Sequence, residues 1–462
     1  MKKITALLLT GTMLFTLAAC GDTDKPESSS GPAPDPVPPA ASASDPQTST
    51  ELLGEFNPSG TIEETILFEE GDVRITATEL TYGGYSADLQ LLIENNSGEE
   101  LNFTSGTLGY SCNSVNGMMV EDGYLNCDVA EGKKAMERIS FGYDTLRLYG
   151  IREIADLEVG ISIVDQDYDR MDLPPFRVLT SLHEQYAYDP LSYQKTISSA
   201  AAQNTFGYEV SCFADDRLYE QAGIAVLSQA LIKNADGASM LLVEAENQSG
   251  EIRTLSAENV AVDNVIVHRG ASGSVTLAPG KRGLIDLDLS TVLDPQVSAL
   301  CGMEMIGAVS FDLQQYNMEG STLPGKETVR VLCGEPSPVD MSGDELYHQN
   351  GTRIVSKAVL APESGIYYTV LLLAENTGDT DLSLTIPLHT TSVNGFMVDC
   401  FGGTWELKPG QFSLMKLELY ERDLEEISVT EAEQIEQVEF ELEVRSGNAR
   451  VETSAILANF TA

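Results

Sequence analysis

Ser114-Val115-Asn116-Gly117-Met118-Met119-Val120 returns almost unchanged as Ser392-Val393-Asn394-Gly395-Phe396-Met397-Val398. A weaker copy, Ala261-Val262-Asp263-Asn264-Val265-Ile266-Val267, lies between them. Asn-Gly between apolar residues is a strong hairpin signal, because both residues tolerate positive φ. Asp263-Asn264 turns less readily but can occupy the same place. A turn repeated three times in 462 residues makes the chain one module written three times.

The pattern extends both ways from the turn. Upstream, an apolar run ends in an acidic-Asn step: Leu91-Leu92-Ile93-Glu94-Asn95, Val243-Glu244-Ala245-Glu246-Asn247 and Leu372-Leu373-Ala374-Glu375-Asn376. Ser97-Gly98, Ser249-Gly250 and Thr377-Gly378 follow, so each run reads as a strand entering a turn. Downstream come turns at Gly132, Gly280 and Gly410, then alternating apolar pairs: Ile139 and Phe141, Leu287 and Leu289, Leu417 and Leu419. Period-two spacing buries one face and wets the other.

A last shared segment carries Ile154, Leu157, Val159 and Ile161; Ile306, Val309, Phe311 and Leu313; Ile435, Val438, Phe440 and Leu442. Its first interval of three reads as one helical turn feeding a strand. Each copy closes on a strand-like piece (176–179, 329–332, 449–452). Roughly seven short strands per copy predict an all-β protein of tandem antiparallel sandwiches. The expected modules span 61–180, 206–333 and 340–462. A connector (181–205) holds a short helix over 195–202, and a linker covers 334–339.

Residues 1–19 carry Lys2, Lys3 and an apolar stretch from Ile4 to Leu17, too short and interrupted to span a bilayer. They end in Leu17-Ala18-Ala19-Cys20, which resembles the bacterial lipobox. That resemblance implies cleavage before Cys20, a lipid on its sulfur, and a cell-membrane anchor facing the outside. Residues 20–60, rich in Pro and Ser, read as a disordered stalk. Extended at about 3 Å per residue, it would reach on the order of 100 Å.

The formal charge is −44. Such acidity argues against a nucleic-acid partner and against close approach to an anionic membrane. An acidic exposed face such as Glu439, Glu441 and Glu443 serves solubility. Beyond Cys20 there are Cys112, Cys127, Cys212, Cys301, Cys333 and Cys400. Export permits disulfides. Cys112 with Cys127 would staple the first hairpin, and Cys212 with Cys333 would join the ends of the second module. Free buried thiols remain the alternative, and no spacing matches a zinc site.

Catalytic patterns are sparse. His183, His268, His348 and His389 occupy no matching positions, and no metalloprotease, nucleophile-elbow, phosphate-loop or dinucleotide motif occurs. Ser192-Tyr193-Gln194-Lys195 fits Ser-x-x-Lys but lacks the companion Lys-Thr-Gly. Asp165, Asp167, Asp169 and Asp172 alternate as Ca²⁺ ligands do, yet Arg170 replaces the EF-hand glycine and Phe176 the glutamate, so a solvated loop is expected. Trp405 is expected in the core, while Tyr82, Tyr85, Tyr110 and Tyr124 are the first module's possible stacking surface. The Asn-Gly loops are either plain turns or a repeated contact surface.

Apolar strand, Glu-Asn turn, Asn-Gly loop, Pro-Gly-Lys turn and final Ile-x-x-Val-x-Phe strand together resemble the Ig-like β-sandwich domains of lipoproteins from Gram-positive anaerobes, and the immunoprotective-extracellular-protein fold. The resemblance implies an Ig-like sandwich in each copy and supplies no catalytic residue or cofactor. The expected role is non-catalytic: binding or adhesion to an extracellular ligand or envelope protein, or a scaffold. The alternatives are an accessory subunit of a membrane transporter or sensor complex, and an enzyme with an unrecognised site. A groove repeated in all three modules would mark a binding array; a single cleft of convergent titratable groups would mark an enzyme.

Overall fold

The computed structural model describes residues 52–266, 271–290, 295–303, 305–362, 366–447 and 449–460. The expected leader, Cys20, most of the expected stalk and His268 lie outside the described residues. Among those described, no helix is long and apolar enough to cross a membrane. The chain is mostly β, in several antiparallel sheets.

Each copy builds the same four-stranded sheet. In the first it runs Thr65–Glu70, Val73–Tyr82, Ser86–Asn95 and Lys133–Gly142. The second uses Tyr208–Ala214, Ile224–Asn234, Ser239–Asn247 and Arg282–Asp288; the third uses Glu345–Gln349, Thr352–Leu360, Tyr367–Asn376 and Phe412–Tyr420. The second strand of each carries a register shift, between Ala77 and Glu79, Val226 and Ser228, and Ser356 and Ala358, at matching places in the first and third copies and two residues nearer the strand's start in the second. Such a bulge sharpens the twist that lets a sheet wrap its core. Opposite lie strands such as Leu101–Ser105, Arg253–Val262 and Leu382–Thr385, and three hydrophobic cores fill the space between. Trp405 is buried in the third.

The Asn of the acidic-Asn step is a buried latch in every copy. Asn247 Nδ2 donates to the carbonyls of Glu251 and Leu277, both at 2.8 Å, and its Oδ1 accepts from Ser249 N–H at 2.8 Å. Asn95 bonds Glu99 O, Val129 O and Ser97 N–H, and Asn376 bonds Thr380 O, Leu407 O and Gly378 N–H. One side chain thus ties the strand end to the opposite sheet, using donor and acceptor together.

The quoted stretches are hairpins with positive φ at both central residues: 50° and 86° at Asn116 and Gly117, 47° and 69° at Asp263 and Asn264, 49° and 83° at Asn394 and Gly395. That is the turn whose twist matches paired strands. Its first residue also shapes the last shared segment. Asn116 Oδ1 accepts from Ala155 and Asp156 N–H, Asp263 Oδ1 from Gly307 and Ala308 N–H, and Asn394 Oδ1 from Glu436 and Gln437 N–H. The interval of three is therefore not a helical turn before the strand. It is a loop bent around this side chain, and the helical turn at Ala432–Gln434 lies before Ile435.

These hairpins also weld the copies together. Arg282 N–H donates to Gly117 O at 3.0 Å, and Phe412 N–H donates to Asn264 O at 2.9 Å. The outer hairpin strands, Met118–Val120 and Val265–Ile266, pair in parallel with Arg282–Asp288 and Phe412–Tyr420. Each junction therefore carries a single sheet from one copy into the next. Lys281 pairs with Glu158 at 2.8 Å across the first junction, and Lys408 with Asp312 at 2.6 Å across the second. Burial works against the Asp312 charge, but bonds from Lys408, Thr328 and Asn259 hold its pKa down to about 2.

Other expectations shift. Residues 53–60 of the expected stalk pack on the first core: Leu53 is buried, and Phe56 stacks on Tyr143 with centroids 4.6 Å apart. The connector forms two helices, Ser192–Ile197 and Ala200–Phe206, and buries Tyr193, Ile197 and Ala202 in that core. It is anchored through buried Glu244, which accepts from Gln194 and Ser228 (2.7 Å each) and pairs with Arg282 at 3.4 Å. All six described cysteines are free. Cys112 belongs to the second core while Cys127 packs on the first, so the hairpin staple is not formed. Cys212 and Cys333 do meet, thiol to thiol, joining an edge strand of one sheet to the end of the opposite one.

Two measurements check this account. Asn247→Ala strands two carbonyls and an N–H, and is expected to cost about 2–4 kcal/mol in urea unfolding, whereas exposed Gln248→Ala changes it little. Mild oxidation is expected to link Cys212 to Cys333, seen by peptide mapping, and to stabilise the second core by about 4–5 kcal/mol for a loop of this length.

Candidate functional site

Where the first and second copies meet, a cavity of about 520 Å³ opens at one end of the first core. Its aromatic wall comes from Phe56, the Tyr82–Tyr85 loop, and Tyr143 and Tyr149 at the two ends of the helix Tyr143–Leu148. Glu121 and Asp122, directly after the first hairpin, form the acidic wall. Leu284 and Asp286 reach in from the second copy's docked strand. The weld between copies therefore completes the site.

Several of these groups are held in place. Tyr82 donates to Gly60 O at 2.7 Å and Tyr143 to Gly83 O at 3.0 Å. Asp122 accepts from Gly142 N–H at 3.0 Å. Arg147 also lines the cavity, but its guanidinium is committed to Asp144 and to the carbonyls of Leu53 and Gly54. With Asp144 taken up by Arg147, the site presents four further carboxylates, Glu55, Glu121, Asp122 and Asp286, against one neutralised cation.

That imbalance moves the proton equilibria. Burial and the Asp286 charge push the Glu121 carboxyl up to about 7. Burial raises Asp122 too, against the bonds from Gly142 and Thr145. Burial pushes the Tyr82 hydroxyl up to about 12, and burial with the Glu121 and Asp286 charges raises Tyr149 well above its usual value. The nearby Cys112 thiol is raised by burial and Glu121, so it is no nucleophile.

Of the four tyrosines singled out in the sequence, Tyr82 and Tyr85 line this cavity. Tyr110 and Tyr124 pack on each other instead, at 5.1 Å between centroids. Ser192 donates to Gly150 O and Lys195 to Asp189, so the Ser-x-x-Lys pair has no shared site. Asp165 Oδ1 accepts from Asp167 and Asp169 N–H, both at 2.9 Å, capping its own turn, while Asp172 is taken up by Ser162 and Arg170. His348 and His389 sit beside Glu345 and Asp399 on the surface, and His183 starts a short helical turn. The acids that matter, Glu121, Asp122 and Asp286, were not singled out. Their spacing is that of any acid beside a strand, and only the junction brings them together.

No protein-family model and no curated protein matches the chain. Among solved structures, similarity is found to a 1.5-MDa bacterial ice-binding adhesin described in connection with host cell surface retention (9% identity, 81% of this chain and 90% of that one, TM-score 0.14). A Porphyromonas gingivalis W83 protein of unknown function matches at 11% identity over 49% of this chain and 92% of that one, and an Escherichia coli alpha-2-macroglobulin at 10% over 84% and 33%, both with TM-score 0.14. At that level of superposition these likenesses carry no argument about function.

A carboxyl raised in the folded state costs stability once it must ionise. Above about pH 7 Glu121 is charged in both folded and unfolded chains, and the folded one bears the penalty. Glu121→Gln is therefore expected to stabilise the chain by roughly 1–3 kcal/mol at pH above 7. The gain should vanish below about 4.3, where the unfolded carboxyl is protonated as well. Urea unfolding across pH reads both limbs.

Proposed function

We propose that the protein is a lipid-anchored, extracytoplasmic binding protein: three tandem Ig-like modules on a stalk, without catalysis, acting in adhesion or as an envelope scaffold. The cleft is its ligand site, and its ligand carries an organic cation, such as the ammonium of a basic side chain on an extracellular or envelope partner. The observation behind this is the lining itself. Aromatic faces attract cations through their quadrupole, by about 0.5–2 kcal/mol per contact. Glu121 and Asp286 add charge of the right sign. The cleft lies at one junction, so the reading is of one site rather than the repeated groove of a multivalent array.

One observation favours a second reading. A single cleft in which one carboxyl rises to about 7 beside other carboxylates also suits acid–base chemistry on a glycoside. Against it stands the environment of Asp122, locked by Gly142 N–H.

Titration calorimetry with tetramethylammonium and n-butylammonium tests the choice. Saturable binding is expected, tightening as pH rises through about 7 because Glu121 ionises there. Glu121→Gln should weaken it roughly tenfold, about 1.4 kcal/mol. Absence of binding by either cation would contradict the proposal. Hydrolysis of a glycoside, abolished by Glu121→Gln, would move the assignment to the enzyme.

A further inference from the structure

The weld between copies is formed twice inside the chain, and both of its halves are left over. The first copy's edge strand, Lys133–Gly142, corresponds to Arg282–Asp288 and Phe412–Tyr420, the strands that receive a hairpin. Among the described residues no strand pairs with its outer edge, and only its far end is taken up, by the bond from Gly142 N–H to Asp122. At the other end, the third hairpin corresponds to the two that dock, and the outer edge of Phe396–Met397 is equally unpaired among the described residues.

Side chains at the two free ends match those at the closed junctions. Leu284 and Leu414, four residues past the turn glycine, are 7% and 4% exposed beneath the preceding copy, while Met136 at the same place is 62% exposed. Met118 and Met119 of the docked first hairpin are 7% and 2% exposed, whereas Phe396 and Met397 are 57% and 65% exposed. A Cβ on Gly283 would stand 2.7 Å from Val275 Cγ2, 2.9 Å from Leu277 Cδ2 and 3.2 Å from Met119 Cβ, so the glycine leaves room for its own core and for Met119 together; Ser413 and Ala135 keep the position small in the other copies. Charge corresponds as well. Lys281 pairs with Glu158 across the first junction, and the corresponding Lys133 and Glu439 are exposed. Basic residues on an edge strand often discourage pairing, but Lys281 and Arg282 occupy those places on an edge that is already docked.

We propose that the chain assembles head to tail with second copies of itself, the third hairpin of one chain docking in parallel on strand Lys133–Gly142 of the next. Phe396 then lies opposite Lys134, as Met118 lies opposite Arg282 and Val265 opposite Phe412. Met397 and Met136 are covered, and Glu439 meets Lys133. The contact joins two different surfaces, so it propagates as a filament unless its rotation closes a ring. It adds strands to sheets that already run from copy to copy. The inference is independent of the cation cleft, which lies at a junction within the chain.

Mixed-disulfide trapping with the full chain in detergent tests it. Phe396→Cys and Lys134→Cys variants, mixed and mildly oxidised, are expected to give a covalent dimer and nothing larger. The chain carrying both is expected to give a ladder. Wild type sets the background from the native cysteines. Dimers from Phe396→Cys alone would indicate a symmetric tail-to-tail contact and overturn the proposal. So would monomers throughout, as when the chain's own residues 1–51 cover the strand. Sedimentation velocity provides the second reading: the weight-average coefficient should rise with concentration, and Met397→Lys should abolish the rise. Lys133→Glu in one chain should weaken association severalfold, and Glu439→Lys in the other should restore it. Concentration-independent monomers in wild type would contradict the assembly. Both lysine and glutamate positions are exposed, so these changes leave each copy's core untouched.

Discussion

The arrangement of the chain depends on one kind of hydrogen bond: the N–H at the start of a copy's last sheet strand, donated to the carbonyl of the preceding copy's hairpin turn. It occurs from Arg282 to Gly117 and from Phe412 to Asn264. Edge strands are a liability because their backbone groups await partners. Here that liability becomes the joint. Each junction makes one continuous sheet from parts of two copies and buries apolar side chains from both, so the copies are not beads on a flexible string. Met119 belongs to the second core although its hairpin belongs to the first copy, and Leu284 belongs to the first core although its strand belongs to the second.

The joint explains why one residue type recurs at the turn. An Asn or Asp there takes positive φ, closes the hairpin and accepts two N–H bonds from the loop before the last shared strand. Asp263 accepts without the donor half, and that suffices because the second loop offers N–H groups from Gly307 and Ala308. Turn and loop are thus fixed by a single side chain, and the docking carbonyl belongs to the residue that follows it, Gly117 or Asn264. The cleft follows from the same geometry. Glu121 and Asp122 leave the docked hairpin, Asp286 lies on the strand it docks to, and burial together with their closeness raises the Glu121 carboxyl.

Local order was legible in the sequence because its signals are local. Alternation set the strands, the Asn-Gly and Pro-Gly turns set their ends, and the repeat made every reading three times over. What was not legible depends on contacts far apart in the chain. The interval of three in Ile154-x-x-Leu157 looked helical because periodicity cannot show a loop wrapped around Asn116. Leu53 and Phe56 looked like stalk because two apolar residues in a polar stretch carry no period, and only Tyr143 and the first core give them a surface. The cleft's acids were invisible for the same reason: Glu121 and Asp286 lie far apart in sequence and meet only through a pairing of one copy with the next. Tyr82 and Tyr85 were picked out as aromatics, without the carboxylates that give them a ligand chemistry.

Amide hydrogen exchange at three corresponding positions tests the joint most directly. Arg282 and Phe412 N–H groups donate across junctions, whereas the corresponding Lys134 N–H faces an edge with no neighbour among the described residues. In dilute protein the account predicts strong protection at Arg282 and Phe412 and fast exchange at Lys134, a contrast that local strand pairing alone would not produce. Equal and fast exchange at all three would mean that the copies are not welded, and would remove the basis of both the cleft and the assembly.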